Sequence, residues 1–135
     1  MIVLIMGLPG AGKTTLAKYL AKQLNAVHWN ADSVRAAFGT SDKFYLDARR
    51  EQAKRMLFLC KTVSAAGHVA IADFICPLPD SQELFKDAFV VFVDRITESR
   101  YPDTDSIFVR PFRVDFHYTV DSTPEQVLEV ITELV

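Results

Sequence analysis

Lys13 and Thr14 close a glycine-spaced stretch, Gly7-Leu8-Pro9-Gly10-Ala11-Gly12-Lys13-Thr14-Thr15. Gly7 to Thr14 fit G-x-x-x-x-G-K-[ST], the pattern of a phosphate-binding loop. The spacing has a chemical reason. The glycines let the backbone turn tightly and aim successive N–H groups inward. Those donors and the positive end of the following helix hold a polyphosphate. Lys13 would reach the β- and γ-phosphates, and the Thr14 hydroxyl would ligate Mg²⁺. A bland reading, a glycine-rich turn with a chance Lys-Thr, fits the surroundings poorly. The apolar run Ile2 to Met6 precedes the loop, and Leu16, Ala17, Leu20, Ala21 and Leu24 follow on one helical face.

Two further polar stretches also follow apolar segments. Asn30-Ala31-Asp32-Ser33-Val34-Arg35 comes after Ala26 to Trp29. Asp32 there is either a helix cap with Arg35 solvated, or a carboxylate that orients an attacking hydroxyl. Val69 to Ala72 runs into Asp73, and Phe89 to Val93 runs into Asp94. Either carboxylate could stand on the metal side of a phosphate site.

The elements that must position these groups follow from patterning. Strands are expected at Ile2 to Met6, Ala26 to Asn30, Val69 to Asp73, Phe89 to Asp94 and Asp115 to Val120. Helices are expected at Lys13 to Leu24, from Asp32 or Ser33 to Phe38, Leu46 to Ala66, Ser81 to Ala88 and from Thr123 onward. Asn25, Gly39 and Gly67 act as helix stops, and Thr123-Pro124-Glu125-Gln126 reads as a capping box. Ile96 to Arg113 shows no clear period. Strands alternating with helices imply an α/β fold with a central parallel sheet covered on both sides. Ligands in such sheets sit beyond the carboxyl ends of the strands, so Gly7, Asn30–Arg35 and Asp73–Pro79 should converge on one site.

Bulk properties narrow the function classes. A length of 135 residues suits a single domain, 1–135, with a real core. A net charge of −2 offers no electrostatic reason to expect nucleic acid as a partner. No segment has the length to span a membrane, and no signal-peptide pattern opens the chain. Cys60 and Cys76 have neither metal-type nor disulfide-framework spacing, which suits a reducing compartment and makes the cytoplasm the default location.

Taken together, these stretches resemble the adenylylsulfate kinase (APS kinase) family of P-loop kinases. The phosphate loop resembles that family's G-L-S-G-A-G-K-S-T, and Asn30 to Arg35 resembles its D-G-D-N-V-R. Phe44 or Tyr45, Asp47, Arg49 and Arg55 fall on its G-F-S…D-R…R-R stretch. Phe74-Ile75-Cys76-Pro77 resembles its F-I-S-P. The chain departs from the pattern at Asn30 (Asp in the family), Cys76 (Ser), Leu78-Pro79 (P-Y-R) and Asp73 (a small residue). Most of the family's basic lid is replaced by the short Arg95 to Pro102.

The resemblance implies a three-layer α/β/α P-loop fold and transfer of the ATP γ-phosphoryl group to the 3′-hydroxyl of adenylyl sulfate. ATP and Mg²⁺ are the implied cofactors, a small molecule is the implied partner, and a homodimer is left open as an assembly. Lys13 and Asp32 inherit catalytic roles, and Thr14 with Asp73 the metal. Arg35 and Arg49 inherit the acceptor's anionic groups, Phe44 or Tyr45 its adenine, and Ile75 with Cys76 the same pocket. Two readings compete: a P-loop kinase for another hydroxyl (sugar, nucleoside or polynucleotide 5′-hydroxyl), and a nucleotide-binding module without catalysis. Cys76 also reads simply as a small buried hydrophobe, His28 and His68 as strand-flanking polar residues, Trp29 and Phe92 as core, and Arg49 to Arg55 as a solvated helix face.

Overall fold

A computed structural model describes residues 1–135. Five strands, β1 (Ile2–Met6), β2 (Val27–Asn30), β3 (Ala70–Asp73), β4 (Phe89–Val93) and β5 (Phe116–Tyr118), form one parallel sheet in the order β2-β3-β1-β4-β5. The helices are α1 (Lys13–Leu24), α2 (Ala31–Ala37), α3 (Leu46–Ala65), α4 (Pro79–Leu84), α5 (Pro102–Ile107) and α6 (Pro124–Leu134).

The period of a strand divides the core in two. Along β1, Val3 and Ile5 point into one layer and Leu4 and Met6 into the other. Val3 and Ile5 meet Leu16, Ala17 and Leu20 of α1 and Val127 and Ile131 of α6. Leu4 and Met6 meet Val34 of α2 and Ala53, Met56 and Cys60 of α3. β1 and β4 are buried along almost their whole length, as central parallel strands are. The result is the expected α/β/α sandwich.

Boundaries follow local chemistry. Asn25 ends α1 in the left-handed region at φ 51°. The Thr123–Gln126 capping box forms, both hydrogen bonds included.

Several expectations are corrected. Asn30, not Asp32 or Ser33, caps α2: its Oδ1 accepts from the Ser33 N–H at 3.1 Å. α4 begins at Pro79 rather than Ser81, because proline suits the first helical position, and it ends at Leu84 rather than Ala88. Ile96 to Arg113 contains the six-residue α5, too short for a period to register. Trp29 is only partly buried, and its Nε1 has no partner.

Candidate active site

The loop between β1 and α1 owes its shape to glycine at two positions. Gly7 passes so close to the Val93 carbonyl of β4 that a Cβ would strike it. Gly12 caps α1 at φ 104°, where other side chains are strained. Leu8 and Ala11 are buried and anchor the turn. Lys13 folds back, and its Nζ donates to the Leu8 carbonyl at 2.9 Å. Burial pushes the Lys13 ammonium below its usual pKa, opposed by the charges of Asp73 and Asp32.

The strand ends place the carboxylates. Asp73 closes β3 beside both β1 and β2, in register with Ile5 and Asn30. It is 2% exposed. Its Oδ2 accepts from Thr14 Oγ1 at 2.9 Å and from Asn30 Nδ2 at 3.1 Å, and it meets His28 Nε2 at 2.9 Å. Burial alone would raise its pKa, but hydrogen bonds from His28, Asn30 and Thr14 hold it below the usual carboxylate value. Asp94 differs: it is tied to Arg110 and His117, at 2.9 and 2.8 Å.

A hydroxyl and a carboxylate are hard oxygen ligands of the kind Mg²⁺ takes. No cluster of three or more His, Cys, Asp or Glu builds an all-protein cage. Mg²⁺ commonly uses one or two protein groups with waters and phosphates, so Thr14 and Asp73 fit it.

Asp32 lies in the first turn of α2 with its side chain 87% exposed, paired to Arg35 Nη1 at 3.2 Å. Arg35 itself is buried, and its Nε has no partner. Arg49 is buried too, so this part of α3 is not a solvated face. Arg49 Nε donates to the Phe44 carbonyl at 2.8 Å and Nη2 to Thr104 Oγ1 at 3.0 Å. Both guanidiniums lie over the Phe44 ring, at 4.8 Å for Arg35 and 5.5 Å for Arg49. Burial lowers the pKa of each, and Arg35 adds to the effect on Arg49. Two buried cations with so little anionic compensation form a site ready for an anion.

One cavity of about 1250 Å³ joins these groups. Pro9, Gly10, Lys13 and Thr14 of the phosphate loop line it together with Arg35, Phe44, Tyr45, Arg49 and Ile75, and with Asp32 and Asp73. Both aromatics of the expected pair are therefore present, Phe44 under the guanidiniums and Tyr45 more exposed. Gly7, Leu8, Ala11, Gly12 and Thr15 do not line it. Cys76 does not line it either. It is fully buried at φ 51° and faces a separate hole of about 10 Å³ behind Arg35 and Arg49. Burial pushes its thiol far up, against any role as a nucleophile.

Sequence reasoning missed three contributors. His28 left a signal, a polar residue inside an apolar strand. Thr104 and Ile107 left none, since they lie in the aperiodic stretch beyond the Arg95 to Pro102 lid replacement.

A phosphate loop at the end of the central strand of this α/β/α sheet defines a P-loop protein. A profile of the adenylylsulphate kinase family matches residues 1–101. The chain belongs to that family. It is 30% identical over 115 residues to an adenylyl-sulfate kinase of Burkholderia ambifaria, covering 75% of this chain and 64% of that one. It is 26% identical over 160 residues to the bifunctional enzyme CysN/CysC of Xylella fastidiosa, covering 96% of this chain but 26% of that one. It thus spans less than two thirds of either relative. Among solved structures, the Mycobacterium tuberculosis APS kinase CysC in complex with AMPPNP and APS superposes with a TM-score of 0.82 at 21% identity, over 98% of this chain and 95% of that one. No helix is long and apolar enough to cross a membrane.

Proposed function

We propose that this chain is an ATP-dependent kinase that phosphorylates the 3′-hydroxyl of adenylyl sulfate, giving ADP and 3′-phosphoadenylyl sulfate. The observation that carries this is the buried Arg35–Arg49 pair over Phe44, in the same cavity as Lys13 and Thr14. A phosphosulfate needs planar, permanently charged donors, and arginine supplies them. An adenine needs an apolar face, which Phe44, Tyr45 and Ile75 offer.

The loop backbone and Lys13 bind the β- and γ-phosphates and stabilise charge as it develops. Lys13 leaves the Leu8 carbonyl to do so. The acceptor oxygen forms a bond to the γ-phosphorus as the bond to the ADP oxygen breaks, and the hydroxyl proton passes to Asp32. Asp32 suits that role because its carboxylate is exposed to the cavity, whereas Asp73 is held by three neighbours. Thr14 and Asp73 would hold Mg²⁺, which, when bound, neutralises charge on the phosphates.

We further read the chain as one kinase domain working on a small molecule. Two buried free cysteines suit a reducing compartment, which supports action in the cytoplasm. The test is incubation with ATP, Mg²⁺ and a panel of acceptors, following ADP and the phosphorylated product. Adenylyl sulfate should be the preferred acceptor. Phosphorylation of a sugar, nucleoside or polynucleotide 5′-hydroxyl instead would transfer the assignment, and no turnover with any acceptor would leave a binding module.

A further inference from the structure

We propose that Thr104 is a positioning residue for the acceptor: its hydroxyl fixes the Arg49 guanidinium so that a free edge of the fork faces the bound anion. The inference rests on the acceptor reading above. Thr104 lies on α5, beyond residues 1–101 that the family profile matches, and 55 residues from its partner.

The geometry is specific. A planar guanidinium held at one point can swing; held at two it has a defined plane and direction. Nε on the Phe44 carbonyl and Nη2 on Thr104 Oγ1 are two such points, at 2.8 and 3.0 Å, and they leave Nη1 unengaged. Thr104 and Arg49 are both buried, so water does not compete freely for the contact. The partner's chemistry matters as much as its place. A carboxylate at this position would neutralise Arg49 and spend its affinity for an anion. A hydroxyl accepts the hydrogen bond and leaves the positive charge available.

α5 is itself held in place. Asp105 accepts from the Ser99 N–H at 2.8 Å and from Ser99 Oγ at 2.6 Å. The Val109 N–H donates to the Pro77 carbonyl at 2.9 Å, tying the end of the segment to the stretch that follows β3. α5 thereby gains a task, as a brace for the acceptor site.

The test is calorimetric titration of adenylyl sulfate into the Mg²⁺·ADP-loaded protein, with steady-state KM values alongside, for Thr104→Val, Thr104→Ala and Thr104→Ser. Thr104→Val keeps shape and removes the acceptor oxygen. It should weaken adenylyl sulfate about tenfold, the effect of one hydrogen bond to a charged group. The KM for ATP should be unchanged, and Thr104→Ser should restore most of the loss. Thr104→Ala serves the same purpose if the valine variant fails to fold. Unchanged affinity in these variants, an equal loss for ATP, or no rescue by serine would overturn the inference while leaving the acceptor reading intact. If the unmodified protein does not bind adenylyl sulfate, the acceptor reading falls, and the inference with it.

Discussion

His28 on β2 and Asp73 on β3 meet across adjacent strands, Nε2 to Oδ2, at 2.9 Å. Thr14 and Asn30 donate to the same oxygen. A carboxylate oxygen receiving three partners cannot rotate freely, so Asp73 is presented to the cavity in one orientation. His28→Ala should lower stability by about 1.5–3 kcal/mol, the worth of a hydrogen bond to a charged group, while Thr14 and Asn30 still satisfy the carboxylate. It should also raise the Mg²⁺ concentration needed for nucleotide binding. Urea unfolding and Mg²⁺-dependent nucleotide titration check the two effects; an unchanged Mg²⁺ requirement would make His28 a purely structural residue.

Lys13→Ala should abolish phosphoryl transfer while the fold persists. Its ammonium contacts only the Leu8 carbonyl, so the core loses no essential partner. The transition state loses the positive charge that reaches the transferred phosphoryl group. Turnover near the normal rate would refute the kinase reading.

Asp32→Asn should cut turnover by about 10²- to 10⁴-fold, the range for a positioned acid–base group, with far less effect on ATP binding. Stability should barely change, since this carboxylate is exposed and α2 is capped by Asn30. Single-turnover kinetics with measured nucleotide affinity separate the two. If turnover is intact, Asp32 only pairs with Arg35.

Cys60 supplies a pH test independent of the site. Burial raises its thiol pKa from 9.0 to about 12. Between those values the unfolded chain gives up a proton that the folded chain keeps, so stability falls as pH rises. Below pH 9 the contribution is fully present. The slope is about 1.4 kcal/mol per pH unit for one group. Denaturant unfolding below and above pH 9 should show a steeper alkaline loss for the natural protein than for Cys60→Ala. Parallel slopes would mean that the thiol ionises as readily in the folded state.

Much of the fold was legible because local rules and the final structure agree. Ile2–Met6 is apolar on both faces because it lies between two helical layers, and the phosphate loop is a contiguous motif whose shape depends on local backbone freedom. The cap of α2 is expected at Asp32 or Ser33 and forms at Asn30, because Asn, Asp and Ser are comparable caps and these three lie within four residues. The resemblance of Phe74–Pro77 to F-I-S-P puts Cys76 in the acceptor pocket beside Ile75. The left-handed turn at Cys76 instead sends it behind the arginine pair.

The amino-acid sequence by itself determined the strand–helix alternation, the phosphate loop, and the carboxylates and arginines that follow the strand ends. These depend on periodicity and short spacings, which a linear chain displays directly. Only the tertiary structure decided that His28 and Asn30 clamp Asp73, that Arg49 is buried rather than solvated, and that Thr104 reaches back to hold it. Each of those contacts joins residues far apart in the chain, brought together by strand order and burial, and no local pattern encodes such a meeting.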